Sequence, residues 1–201
     1  MKLSNKFTFA RALFAPVFFL IFSIPVWLDS DILLKISACI MIPLLAVFEF
    51  TDYLDGHYAR KHGEVSDFGK LFDPFADVLL NLTVFVCAVE KSYMPVVLFV
   101  LILYREFSQS FLRMVAVKHG IAIAAKKGGK FKTVFYIASG FYFLAVESYI
   151  RLGFSFFSEK IISGLKISAV VMFVLCVLFS WISFADYIKS FYPLLKEKKE
   201  F

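Results

Sequence analysis

Apolar residues fall into six long runs, roughly Phe7–Leu28, Ile32–Leu54, Pro74–Val89, Met94–Val117, Phe131–Ile150 and Ile161–Ile188. Each comes near the ~20 residues a helix needs to cross ~30 Å of hydrocarbon. The third run is short, and the sixth is long enough to tilt or to keep an interfacial end. Polar connections are brief: Asp29–Asp31, Glu90–Tyr93 and Arg151–Lys160 on one side, Asp55–Asp73 and Lys118–Lys130 on the other. This pattern predicts an all-α integral membrane fold of six transmembrane helices, with residues 1–201 forming one domain. Leu3–Arg11 alternates polar and apolar residues, so it reads equally well as a short interfacial helix or as the basic flank of the first span.

Composition strengthens the membrane reading, since hydrophobic residues make up 60% of the chain and 27 of them are Phe. A soluble core of this length could not hide so much apolar surface, whereas lipid solvates it. The run after Arg11 exceeds a usual secretory signal core and lacks a clean cleavage site, so it reads as a retained first span. Cys39, Cys87 and Cys176 each stand alone in apolar surroundings and suggest neither a disulfide framework nor a metal finger.

The formal charge of +6 is unevenly spread. Lys35, Lys91, Arg151, Lys160 and Lys166 lie on one side, and nearly all other bases on the side of both termini. The positive-inside rule then places both termini in the cytoplasm, in the cell membrane. These bases flank spans and form no single soluble basic face, which argues against a nucleic-acid partner.

The densest chemistry runs from Asp52 to Asp77. Asp52 and Asp55 stand at the end of the second run, and Asp73 and Asp77 at the start of the third. Spacings of three and four place each pair on one helical stripe, and the hairpin between brings both pairs to one depth. Carboxylates there are costly, roughly 2.5–3.5 kcal/mol each at a span's centre and less near its end. Four together call for a cation, and an all-oxygen set suits Mg²⁺ or Mn²⁺, with two ions resembling a phosphoryl-transfer clamp. Between the pairs, Gly56 and Ala59 leave room for a ligand, and Arg60 offers a planar fork for phosphate oxygens. Gly69 suits a turn or tight packing before the third helix, and Ser66 can donate a hydrogen bond.

The eight residues Asp52, Asp55, Gly56, Ala59, Arg60, Gly69, Asp73 and Asp77, within 26 positions, resemble the full signature of the CDP-alcohol phosphatidyltransferase family. That resemblance implies six transmembrane helices, a homodimer and a polar cavity open to the cytoplasm. It also implies that Asp52, Asp55, Asp73 and Asp77 hold the metals, with Asp77 doubling as general base. Gly56, Arg60 and Ser66 would contact the CDP moiety of a CDP-linked lipid, and Asn5 and Thr8 would reach the nucleotide from the first helix.

A second cluster lies within Arg105–Thr133. Arg105 falls inside the fourth apolar run, where an unpaired cation is costly, so it reads as an acceptor-binding residue or as the structural partner of its neighbour Glu106. Arg113, Lys130 and Lys132 stand near the same mouth and suit an anionic acceptor, although positive-inside anchoring also accounts for them. Arg105-Glu106-Phe107, Ser110–Arg113 and Gly129–Thr133 resemble, in this order, the family branch that takes glycerol 3-phosphate as acceptor. Lys126 departs from that branch, where a serine is commoner. The same chemistry with serine, inositol phosphate or a phospholipid as acceptor is the nearest rival. A divalent-cation transporter is a further one, but it leaves Gly56, Ala59 and Arg60 unexplained. His57, His62 and His119 read as dispersed loop residues, and Glu49 stands one turn before Asp52.

Overall fold

The computed structural model describes residues 3–62, 67–118 and 127–197, and the side chains of residues 9, 10, 12–51, 72–117, 129 and 131–189. Six helices follow in order: α1 (Leu3–Trp27), α2 (Asp31–His62), α3 (Asp67–Glu90), α4 (Val96–Lys118), α5 (Lys127–Arg151) and α6 (Glu159–Glu197). Asp31–Thr51, Phe72–Glu90, Phe131–Arg151 and Glu159–Lys189 are long and apolar enough to cross a membrane, and Ala12–Trp27 is a shorter apolar stretch. The fourth run is a helix too, but it carries Arg105, Glu106 and Arg113 on one side. The chain is a multi-pass membrane protein.

Three boundaries differ from the sequence expectation. The second helix does not end near Asp55: α2 continues through His62, and α3 begins at Asp67, so the expected nineteen-residue connection shrinks to residues 63–66. His57, His62, Asp67 and Gly69 therefore belong to helices, not to a loop or a turn. Polar residues extend a helix beyond its apolar run as readily as apolar ones, and hydropathy alone cannot see that. At the start of the chain, Leu3–Arg11 belongs to one continuous α1, not to a separate helix. Ser66 and His119 lie outside the described residues, as do the side chains of Asn5, Thr8 and Lys130.

Helix α3 packs against α1, α4 and α5, while α5 packs against α2, α3 and α6. Phe22, Phe85, Phe143 and Phe173 are fully buried where these helices meet. A Cβ at Gly140 would lie 3.1 Å from Val84, so glycine sets the close approach of α5 to α3. Outward positions are apolar as well, among them Ile32, Val47 and Phe50 on α2 and Ile167, Leu178 and Ile182 on α6, as lipid contact requires.

The turns at one end share a device. Asp29, Ser92 and Gly153 adopt left-handed φ angles of 48°, 61° and 73° just past the ends of α1, α3 and α5. After α1, the Ser30 N–H donates to the Pro25 carbonyl. After α3, the Tyr93 N–H donates to the Ala88 carbonyl. These are Schellman closures, which satisfy terminal carbonyls within a short turn. At that end Arg151 donates to Glu147 Oε1 (2.9 Å), the Ser37 hydroxyl (2.8 Å) and the Phe22 carbonyl (3.2 Å). One buried guanidinium thus ties α5 to α1 and α2.

Candidate functional site

The opposite end gathers the polar residues of α3 and α4. Helix periodicity puts Asp73, Asp77 and Asn81 on one stripe of α3, and Arg105, Gln109 and Arg113 on one stripe of α4. Pro74 has no N–H to donate to the Lys70 carbonyl one turn back. At this end Phe9 stacks with Phe72 at 6.3 Å, which sets the first turns of α1 beside the start of α3.

A cavity of about 410 Å³ opens here. From α3 come Pro74, Asp77 and Asn81; from α4 Arg105, Glu106, Gln109 and Arg113. Gly129, Lys132 and Tyr136 line it from α5, and Ser183 and Tyr187 from α6. Among the described residues, no Cα of α4 lies within 8 Å of one of α5, so the cavity fills the gap between those helices.

Glu106 bridges that gap. Its Oε1 accepts hydrogen bonds from Arg105 (2.8 Å), Lys132 (2.8 Å) and Tyr136 (2.9 Å). Arg105 is only 1% exposed, and its Nε also donates to the Ser180 carbonyl on α6 at 2.9 Å. Its guanidinium lies 6.0 Å from the Phe184 ring centroid. Two cations against one carboxylate leave this wall positive, and Arg113 adds to it one turn beyond Gln109. Arg105 is thus both a cavity residue and a strut between α4 and α6, while Lys132 and Arg113 stand nearer the mouth.

The sequence-predicted residues are distributed as follows. Asp77, Arg105, Arg113 and Lys132 line one cavity. Asp73 stands one turn before Asp77 and is partly buried. Asp52, Asp55, Gly56, Ala59 and Arg60 sit on the last turns of α2, and Gly69 in the first turn of α3; their side chains are not described. His62 and Asp67 are five residues apart in the chain, at most roughly 18 Å, so both acidic pairs belong to the same end of the bundle. Asp73 and Asp77 offer oxygen donors alone, which fits a hard divalent cation. Among the described residues, no three acidic, histidine or cysteine side chains come together.

Sequence reading missed Gln109, Asn81 and Tyr136 as cavity residues, and took Glu106 as a partner of Arg105 alone. For Gln109 the signal lay in the spacing: Arg105, Gln109 and Arg113 recur every fourth position along α4, which marks a stripe turned away from lipid.

Fold and cavity together define a polytopic membrane protein with a polar chamber at one end, acidic on one helix and cationic on its neighbours. The family model for CDP-alcohol phosphatidyltransferase matches residues 1–185. The chain is 36% identical to the CDP-diacylglycerol–glycerol-3-phosphate 3-phosphatidyltransferase of Treponema pallidum (strain Nichols), over 98% of its own length and 92% of the relative's. The protein of that name from Bacillus subtilis (strain 168) is also 36% identical, over 66% of this chain and 70% of its own. The one from Mycoplasma pneumoniae is 30% identical over 82% of this chain and 72% of its own. The chain belongs to the CDP-alcohol phosphatidyltransferase family.

Proposed function

We propose that this membrane enzyme transfers the phosphatidyl group of CDP-diacylglycerol to glycerol 3-phosphate, giving phosphatidylglycerol phosphate and CMP. The observation that carries this reading is the shared cavity, in which the Asp77 carboxylate and the cations Arg113 and Lys132 face one small volume. A hydroxyl needs a base, and the phosphate of the same small acceptor needs positive charge; both line the same cavity. Lys132 is already paired with Glu106, and an anionic acceptor gives the excess positive charge of that wall a further partner.

In the proposed reaction, Asp77 takes the proton of the primary hydroxyl of glycerol 3-phosphate. That oxygen bonds to the phosphorus that carries diacylglycerol. The bond from this phosphorus to the bridging pyrophosphate oxygen breaks, and CMP leaves with the bridging oxygen. Arg60, Gly56 and Ser66 hold the CDP moiety, with Ala59 and Gly69 keeping space for it and Asn5 and Thr8 closing over the nucleotide. Arg113, Lys130 and Lys132 hold the acceptor phosphate, while Arg105 fixes Glu106 and with it the position of Lys132. Asp52, Asp55, Asp73 and Asp77 would hold Mg²⁺ or Mn²⁺, and such ions neutralise phosphate charge and polarise the phosphorus. Positioning and charge stabilisation supply most of the acceleration.

The basic flanks support a cytoplasmic position for the cavity and both termini in the cell membrane, and the family resemblance supports a homodimer. Purified protein incubated with CDP-diacylglycerol, Mg²⁺ or Mn²⁺ and glycerol 3-phosphate should release CMP and form phosphatidylglycerol phosphate. Serine, inositol phosphate and a phospholipid serve as competing acceptors. Faster CMP release with any of those, or none with glycerol 3-phosphate, rejects the assignment.

A further inference from the structure

The acid and the cations account for the two ends of a hydroxyl-bearing phosphate, but the amide between them has no role so far. Gln109 lines the cavity, is 9% exposed, and its Oε1 is buried with no hydrogen-bond partner. The amide's two ends are interchangeable by a rotation, so either a donor or an acceptor can face a ligand. An anion-binding wall gains nothing from a neutral amide whose oxygen goes unused, and burying such an oxygen is unfavourable until a donor reaches it.

The antiparallel pairing of α3 and α4 fixes the depth of this amide. Asp77 and Gln109 each lie sixteen residues from Tyr93, in the turn between the two helices. At about 1.5 Å of rise per residue, they stand at the same level of the bundle. Arg113 lies one turn nearer the mouth on the Gln109 stripe. Asn81, one turn deeper than Asp77, donates from Nδ2 to the Asp77 carbonyl at 2.9 Å, which leaves its own amide oxygen for the cavity. Charge at the mouth, a base at mid-depth and an amide across from the base match a phosphate, a reacting hydroxyl and a neighbouring hydroxyl.

We infer that Gln109 is a specificity-determining residue that hydrogen-bonds the secondary hydroxyl of the acceptor, next to the hydroxyl that Asp77 deprotonates. The inference rests on the proposed phosphatidyl transfer to glycerol 3-phosphate. A polar site of this kind rejects an analogue that lacks the hydroxyl, because the analogue leaves the buried amide unpaired. Arg113 and Lys132 would still bind the analogue's phosphate, so charge alone gives no such discrimination.

The test compares glycerol 3-phosphate with 3-hydroxypropyl phosphate, which keeps the phosphate and the reacting hydroxyl and lacks only the secondary one. The wild-type enzyme should favour glycerol 3-phosphate in kcat/KM by about tenfold or more. Gln109→Leu should bring that ratio close to one, and Gln109→Asn should fall between. Should Gln109→Leu lose activity altogether, the ratio of the two dissociation constants, read by titration calorimetry on Gln109→Asn and wild type, decides in its place. A wild-type ratio near one, or a ratio that the substitutions leave unchanged, overturns the role of Gln109. A wild-type enzyme that releases no CMP with either acceptor rejects the transfer reaction itself, which is a separate outcome.

Discussion

Each charged side chain in the cavity has a distinct expected signature. Asp77→Asn keeps the shape of the side chain and removes the base; CMP release should fall by about 100-fold or more while the circular dichroism of the purified protein stays unchanged. Retained turnover would take Asp77 out of the base role. Arg113 and Arg105 should separate cleanly, although both were read from sequence as acceptor ligands. Arg113→Ala should raise the KM for glycerol 3-phosphate about tenfold with little change in kcat, the pattern of lost ground-state binding. Arg105 is buried, with Glu106 Oε1 and the Ser180 carbonyl as partners. Its removal leaves a buried carboxylate short of a donor, so Arg105→Ala should cost about 3 kcal/mol in stability, seen as a lower melting temperature in detergent. Sequence showed that a cation inside an apolar run must be compensated. It could not show that the compensation spans three helices, because the partners come from Glu106 beside it, Ser180 far along the chain, and Lys132 and Tyr136 through the shared oxygen.

At the scale of helices, hydropathy runs located all six elements, since lipid exposure imposes a pattern that soluble helices lack. It misplaced the end of α2 and the start of α3 because the mostly polar residues 55–62 and 67–70 are helical. The acidic pairs therefore stand on longer rods than the apolar runs suggested, and their backbone is held by helical hydrogen bonds and not by a wide loop. At the other end the closures after α1 and α3 use left-handed Asp29 and Ser92 where glycine would be unstrained. Ser92 is exposed, so Ser92→Gly loses no packing. It should raise stability by about 0.5–1 kcal/mol, measured as a higher detergent melting temperature at unchanged turnover.

For the molecule as a whole, the two ends differ in how they are tied. Glu147 and Arg151 join α5 to α1 and α2 at the end away from the cavity, with side-chain exposures of 8% and 3%. A buried pair of this kind is destabilising to break and often neutral to replace entirely. Glu147→Leu and Arg151→Met should each lower the melting temperature, and the double variant should recover most of the loss, with KM for glycerol 3-phosphate unaffected throughout. A double variant less stable than both singles would mean the guanidinium matters through the Ser37 and Phe22 contacts and not through its charge. The acid edge of the chamber rides on α3 and its cationic face on α4 and α5. Acid and base thus stand on different helices around one cavity of about 410 Å³, and a molecule with an anionic head meets a positive wall there. For the proposed acceptor, the bases on α4 and α5 would draw the anionic head to their wall before any hydrogen bond forms, which presets its direction of approach.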